Sequence, residues 1–155
     1  MNKYIYTSMR KRKVAIMLDE GAQIPFYATE LSAGADVKCN EDFTLNPGEH
    51  KLIHTGIRME LPDDMECQVR PRSGLAAKYG ITVINAPGTI DADYQGECNV
   101  LLINHGTESV SFEKGERIAQ FVFVENVVQA KFDLVSGFTK KTERGEGGFG
   151  HTGKR

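Results

Sequence analysis

Apolar residues recur in short runs along this chain, and most runs have the length and alternation of β-strands. The segment 50–61 carries its apolar side chains mostly at every second position, which predicts one half-buried strand. Further strands are predicted at 13–18, 65–69, 81–84, 99–103, 118–124 and 130–135. Clusters of Asn, Pro and Gly separate the runs and predict turns. Several short strands with regular turn signals indicate an all-β fold, a jelly-roll-like sandwich or barrel.

One stretch, residues 71–79, has the composition of a helix. It contains good helix formers, Ser73 is the predicted N-cap, and Gly80 is the predicted C-cap. Because a helix N-terminus presents free amides and favours anions, the start of this helix, beside Arg72 and Ser73, is a candidate anion site.

The segment 85–97 joins the predicted strands 81–84 and 99–103, and the three parts are predicted to form a hairpin-like element. The insert is too elaborate for a plain turn. It begins with three turn-forming residues, Asn85, Pro87 and Gly88.

Two acids and an aromatic ring follow in the same insert. Asp91 and Asp93 have one residue between them, so strand spacing predicts that they share a face, and Tyr94 comes next. A loop rich in backbone amides, beside an acid and an aromatic ring, fits a small planar ligand. The alternative is a solvated turn with surface acids.

Composition narrows the class of protein. The chain has 155 residues, a length that suffices for one domain with a core, and 40% of them are hydrophobic. A net charge of −2 argues against a nucleic-acid partner. No apolar run approaches the roughly 20 residues that span a membrane, so no membrane partner is expected. The three cysteines, Cys39, Cys67 and Cys98, are widely spaced and predict reduced thiols rather than a zinc site.

From Ser136 onward the sequence becomes polar and glycine-rich. Such a composition cannot bury a core, and residues 136–155 are therefore predicted to form a mobile C-terminal arm that follows a β-domain of residues 1–135. Its aromatic residue Phe149 stands among glycines, which makes ordinary core packing a poor explanation for that ring.

Five short motifs appear in a characteristic order along the chain. They are Ser32-Ala-Gly-Ala-Asp-Val37, Pro71-Arg-Ser-Gly-Leu75, the insert from Asn85 to Glu97, Gly115-Glu-Arg-Ile-Ala-Gln120 and Arg144-Gly-Glu-Gly-Gly-Phe-Gly150. This order closely resembles the five-motif pattern of the homotrimeric dUTPases, over nearly the whole chain from about residue 13. One visible departure is His151, where that family often has Ser.

The resemblance implies a jelly-roll-like trimer with active sites at subunit interfaces, and Mg²⁺-assisted hydrolysis of dUTP to dUMP and pyrophosphate. Asp91 matches the general base that activates the attacking water. Asn85 and the turn to Ile90, including Gly88 and Thr89, match the uracil reader, which Asn99 completes through its backbone. Tyr94 matches the ring beneath the deoxyribose.

The resemblance also assigns residues to the binding of the phosphates and the metal. Arg72, Ser73 and Gly74 match the phosphate cradle, while Asp36 matches a carboxylate that holds water near the metal. The remaining matches to the substrate are Gln120, Arg144, Phe149 and Gly150, of which Phe149 stacks on uracil when the arm closes over a neighbouring site.

Two other functions stay open at this point. A dCTP deaminase shares the fold of the dUTPases, and a dUTP-gated regulatory protein would use the same pocket with catalysis as a secondary property. A cytoplasmic location is expected, or a nuclear one if the source is eukaryotic or viral.

Overall fold

The computed structural model describes residues 10–148. Within that range the chain forms twelve strands and one helix. In chain order they are β1 (Ala15–Leu18), β2 (Phe26–Tyr27), β3 (Ala35–Lys38), β4 (Phe43–Leu45), β5 (His50–Ile53), β6 (Ile57–Glu60), β7 (Met65–Arg70), α1 (Ser73–Tyr79), β8 (Ile81–Val83), β9 (Gly88–Ile90), β10 (Val100–Asn104), β11 (Val110–Phe112) and β12 (Arg117–Glu125).

All of the strand pairings are antiparallel, and they join the strands into four sheets. The largest has the order β2-β3-β12-β7-β9, and a three-stranded sheet has the order β5-β10-β8. Two smaller sheets pair β1 with β6 and β11 with β4. The arrangement confirms the predicted all-β, jelly-roll-like class, in which these sheets pack as a sandwich and, within residues 10–148, do not close into a barrel.

One continuous apolar core lies between the sheets. Alternate side chains of β7 and β10 are buried, as a strand with one face on a core requires. Among the large side chains, Phe121, Leu45 and Ile53 are almost completely buried. Burial of alternate residues explains why the sequence pattern located strands such as β7, β8 and β10. The short strands β2, β3, β4, β9 and β11 were not predicted.

The predicted strand 50–61 is two strands, β5 and β6, separated by residues 54–56. Gly56 adopts φ = 67°, a left-handed conformation that a strand cannot contain. A side chain at this position would also lie 2.7 Å from the Cβ atom of Ala22. The prediction was wrong here because Ile53, Ile57 and Met59 keep a nearly alternating pattern across the break.

The predicted strand 130–135 is absent, and within the described residues the last strand ends at Glu125. A strand requires a hydrogen-bonded neighbour, and residues 130–135 lie against none in the single chain. The predicted domain boundary at residue 135 stays a prediction. No helix within residues 10–148 is long and apolar enough to cross a membrane.

Candidate active site

The central hairpin (residues 81–104) connects two sheets of the sandwich. Its outer strands β8 and β10 pair with each other, which confirms the predicted hairpin. The short strand β9, inside the insert, pairs instead with β7 in the five-stranded sheet. The insert therefore crosses from one sheet to the other and back, and this excursion opens a pocket beside β9.

The pocket has a volume of about 330 Å³, a size in the ordinary range for small-molecule sites. Seven of the predicted site residues line it: Asn85, Gly88, Thr89, Ile90, Asp91, Tyr94 and Asn99. The remaining lining residues are Leu52, Val69, Glu97 and Cys98. The insert thus lines an open pocket, which favours the ligand-binding interpretation over a plain solvated turn.

The turn at the start of the insert is narrow. Gly88 is buried, and a Cβ atom at this position would lie 3.1 Å from the side-chain Nδ2 of Asn85 and 3.3 Å from the Cβ of Val69. Any larger residue would push the wall of the pocket outward. Glycine thus lets the backbone of β9 approach β7 closely and leaves main-chain groups as part of the lining.

Asp91 and Asp93 do not behave as the strand spacing predicted. β9 ends at Ile90, and the chain then turns, with the Tyr94 amide donating to the Asp91 carbonyl at 3.2 Å. Both acids are exposed, but Asp91 lines the pocket and Asp93 does not. The two acids therefore separate, because a turn does not keep the twofold alternation of a strand.

The ring of Tyr94 lies against the backbone at the end of the insert. Its hydroxyl donates to the carbonyl of Glu97 at 3.0 Å. A Cβ atom on Gly96 would approach that hydroxyl to 2.5 Å, so only glycine leaves room for the ring. The side chain is still 46% exposed and forms an open wall of the pocket.

Glu97 is a residue of this site to which the sequence assigned no role. One carboxylate oxygen accepts from the backbone amides of Thr55 (3.1 Å) and Gly56 (2.8 Å), and the other lies 3.0 Å from Nδ1 of His54. Burial of the carboxylate opposes ionisation, but the hydrogen bonds from His54 and Gly56 outweigh it and lower the pKa of Glu97. The hydrogen bond to Glu97 in turn raises the pKa of His54.

A second group, the Asp36 cluster, contains the three predicted residues Asp36, Arg72 and Gln120 together with Arg117. Its members lie on β3 and β12 and just after the end of β7. The two carboxylate oxygens of Asp36 accept from Arg72 Nε at 3.1 Å and from Arg117 at 3.0 Å. Gln120 donates to the Pro71 carbonyl at 2.9 Å. A Cβ atom on Gly34 would overlap the side chain of Gln120, so the glycine leaves room for that side chain.

Arg117 is the second residue that sequence reasoning missed. Regular alternation would put Arg117 and Gln120 on opposite faces of β12. A register irregularity between Arg117 and Ala119 inserts an extra residue, so that Arg117 pairs with Lys38 and Gln120 with Asp36. Two consecutive buried residues, Ile118 and Ala119, absorb the shift, and both polar side chains reach the face of Asp36. The adjacent apolar pair is the one weak signal of this bulge in the sequence.

The helix begins at Ser73, and Arg72 rather than Ser73 is its N-cap. The Arg72 backbone is extended and no side chain caps the helix, so the predicted capping role of Ser73 was wrong. Gly80 ends the helix in a left-handed conformation, as predicted. Ser73 and Gly74 are exposed, and neither they nor Arg72 belong to the described lining of the pocket beside Asp91.

Among the predicted residues of the C-terminal arm, Arg144 lies within the described range, and it does not line the pocket. Arg144 donates to the Gly147 carbonyl at 2.8 Å, a contact within its own turn. Phe149, Gly150 and His151 lie outside the described residues. Within residues 10–148, the predicted site residues are thus divided among the pocket at the hairpin, the Asp36 cluster with Ser73 and Gly74 nearby in the chain, and Arg144.

The remaining candidate chemistry is sparse. All three cysteines are free and buried, and burial raises the pKa of Cys98 to about 11. Within residues 10–148, no three or more Asp, Glu, His or Cys side chains group as metal ligands.

Comparison with known proteins places these features in a family. The family model for dUTPase matches residues 20–153. The deoxyuridine 5'-triphosphate nucleotidohydrolase of Clostridium tetani is 50% identical over 138 residues, which are 89% of this chain and 94% of that protein.

Solved structures share the fold. The dUTPase of Staphylococcus bacteriophage 80alpha, solved with dUPNHPP, superposes with a TM-score of 0.84 at 26% identity and covers 92% of this chain and 99% of its own. A dUTPase from phage phi11 of S. aureus, described with a structural Mg(II) ion, gives a TM-score of 0.75 at 21% identity, over 82% of this chain and 99% of that one.

Proposed function

This chain belongs to the dUTPase family, and we propose that the pocket of the central hairpin binds dUTP and directs its hydrolysis to dUMP and pyrophosphate. The observation that carries the proposal is the pocket itself. It brings together an amide-rich turn, one free carboxylate and one aromatic wall, and all three come from a single insert. A small ligand that carries a planar group fits this lining.

The turn from Asn85 to Ile90 reads the base. Main-chain donors and acceptors along a narrow turn pair with the edge of uracil, and cytosine leaves a donor or an acceptor unmatched there. An unmatched buried group costs about 1–3 kcal/mol, which gives strong discrimination without contacts to the phosphates. Asn99 completes the uracil-binding site, and Tyr94 contacts the deoxyribose from the open side of the pocket.

Asp91 serves as the general base. It takes a proton from a water molecule, and the water oxygen attacks the α-phosphorus in line with the bond that breaks. Pyrophosphate leaves with the bridging oxygen, and dUMP keeps the new oxygen. General-base assistance of this kind contributes about 10²–10⁴-fold to the rate.

The Asp36 cluster, with Ser73, Gly74 and Arg144, binds the phosphates. Arg72 and Arg117 supply positive charge, and the two ion pairs to Asp36 fix their guanidinium groups. Asp36 would also hold water near Mg²⁺, an ion that usually keeps several waters and binds through substrate phosphates. When bound, Mg²⁺ spreads the charge of the triphosphate.

We propose a homotrimer in which different chains supply the parts of each site. Support comes from residues 127–138, where Phe132, Leu134 and Phe138 are more than 90% exposed in the single chain. Exposed apolar groups of this size mark an interaction surface. Further support is that α1 and Arg144 lie outside the lining of the pocket that they would serve. Phe149 then stacks on the uracil of a neighbouring site.

Pyrophosphate release from each deoxynucleoside triphosphate and from UTP, assayed separately, tests the proposal. The expected result is rapid turnover of dUTP, weak turnover of the other nucleotides and suppression by EDTA. Comparable turnover of dCTP, or ammonia released from it, would instead identify a deaminase-like enzyme.

A further inference from the structure

Glu97 connects the end of the central hairpin to a distant turn. Its carboxylate reaches residues 54–56, the turn between β5 and β6, which lie 41 to 43 positions earlier in the chain. The side chain is only 16% exposed. One oxygen accepts two backbone amides and the other meets His54, so the turn encloses the carboxylate group.

Glu97 also contacts two residues that line the pocket, Tyr94 and Asn99. Its backbone carbonyl accepts the hydroxyl of Tyr94, and Gly96 supports the ring from beneath. The side-chain amide of Asn99, oriented with its nitrogen toward Glu97, donates to both carboxylate oxygens at 3.0 and 3.2 Å. Tyr94 and Asn99 therefore both depend on where the Glu97 carboxylate is fastened.

The start of β10 is held independently of this carboxylate. The Cys98 amide donates to the Ile57 carbonyl at 2.7 Å, and the Thr55 hydroxyl donates to the Cys98 carbonyl at 2.9 Å. Neither bond involves the Glu97 side chain, so both should persist when it is removed. Loss of the carboxylate should therefore loosen the segment before Cys98, which includes Tyr94, and leave the sheet intact.

We propose that Glu97 is a positioning residue for sugar selectivity, which fastens the Tyr94 wall of the pocket to the turn 54–56. The proposal rests on the proposed function, since selectivity for deoxyribose is its readout. A wall held at fixed distance excludes the 2′-hydroxyl of a ribonucleotide, whereas a wall that can move back admits it. Glu97 acts through Tyr94 and Asn99 and takes no part in the chemical step.

Two substitutions separate geometry from charge. Glu97→Ala removes every contact of the carboxylate. Glu97→Gln keeps an oxygen for the Thr55 and Gly56 amides, and its NH₂ group can donate to neutral His54 and to the Asn99 oxygen after that amide rotates. The glutamine variant should therefore keep the fastening. If Glu97→Ala does not fold, Glu97→Asp replaces it, because the shorter side chain keeps the charge and loses the reach.

The decisive measurement is the ratio of kcat/KM for dUTP to that for UTP. We expect Glu97→Ala to lower this ratio about 10-fold or more, and Glu97→Gln to stay close to wild type. The matched control is Glu49→Ala, which removes another carboxylate that accepts a turn amide, that of Asn46 at 2.8 Å, away from the pocket lining. It should destabilise the fold without changing the ratio. An unchanged ratio in Glu97→Ala would overturn the proposal.

Hydrogen exchange of the Thr55 and Gly56 amides tests the fastening without reference to activity. Both amides should exchange about 10-fold or more faster in Glu97→Ala and at nearly wild-type rates in Glu97→Gln. Equal protection in all three proteins would show that the carboxylate fastens nothing. A wild-type protein that released no pyrophosphate from dUTP would overturn the proposed function, and the exchange rates would still decide on the fastening.

Discussion

The central hairpin and the C-terminal segment (residues 126–148) carry the two ends of the predicted site, and they differ in how much of their structure one chain supplies. In the hairpin, each strand has a hydrogen-bonded partner and alternate side chains are buried. The C-terminal segment is attached to the sandwich at its start, where the Val127 amide donates to the Asp64 carbonyl at 3.2 Å. Residues 128–148 form no strand, and their large apolar side chains are exposed.

This difference shows which part of the site one chain can complete. One chain supplies the pocket lining described above, chiefly from the insert, with Val69 of β7 and Leu52 of β5. The C-terminal segment has the apolar content of a packed element and lacks a surface to pack on. A second copy of the chain is the simplest source of that surface.

The largest effect is expected in the hairpin. Asp91→Asn should lower kcat by about 10²-fold or more, with little change in nucleotide affinity, because the amide cannot accept the proton of the attacking water. Single-turnover kinetics and binding of dUMP measure the two quantities. Asp93→Asn is the matched control and should stay near wild type, since Asp93 does not line the pocket. A reversed order of the two variants would make Asp93 the base.

The next effect concerns the C-terminal segment. The double variant Phe132→Ser, Leu134→Ser should weaken assembly about 10-fold or more per side chain, because burial of each group is worth roughly 1.5–3 kcal/mol. Analytical ultracentrifugation over a range of concentrations measures the change. Lys131→Ser, a neighbouring polar position, should assemble normally. A double variant that assembles like wild type would remove the segment from the interface.

A mixing experiment asks whether the hairpin and the arm of one chain serve different sites. Two inactive proteins, Asp91→Asn and a truncation that ends at Lys141, are unfolded together and refolded. In random trimers of equal parts, Asp91 and the arm are each present at half of the sites. About one quarter of wild-type activity should therefore return. Activity no higher than that of the two parents would mean that both parts belong to the same site.

The smallest effect concerns the pair of His54 and Glu97. The hydrogen bond to Glu97 raises the pKa of His54 in the folded state. The contribution of this pair to the free energy of unfolding is therefore fully present below the unfolded-state pKa of histidine, and it is lost as pH rises through the folded-state pKa. Because His54 is exposed, the loss should shift Tm by less than about 3 °C. Glu41 also faces this histidine. In Glu97→Gln the pKa of His54, followed by NMR, should fall; an unchanged value would assign the shift to Glu41.

Short-range patterns in the chain were sufficient for the longest strands, β7, β10 and β12, and for the family. A strand with one face on the core has apolar and polar residues in alternation, and the turn of the insert needs Asn, Pro and Gly. Both features can therefore be recognised in the sequence. The same holds for the spacing of Asn85, Asp91 and Tyr94, because these pocket residues come from one continuous insert.

The rest depended on contacts between positions far apart in the chain. Nothing near Glu97 in the sequence indicates a turn 42 residues earlier that would surround its carboxylate. The bulge in β12, which brings Arg117 beside Asp36, follows from register against β3 rather than from the alternation of β12 itself. The predicted strand 130–135 failed for a related reason. An apolar pattern indicates which side chains favour burial, but a strand also needs a hydrogen-bonded partner for its backbone. The single chain offers residues 130–135 no such partner.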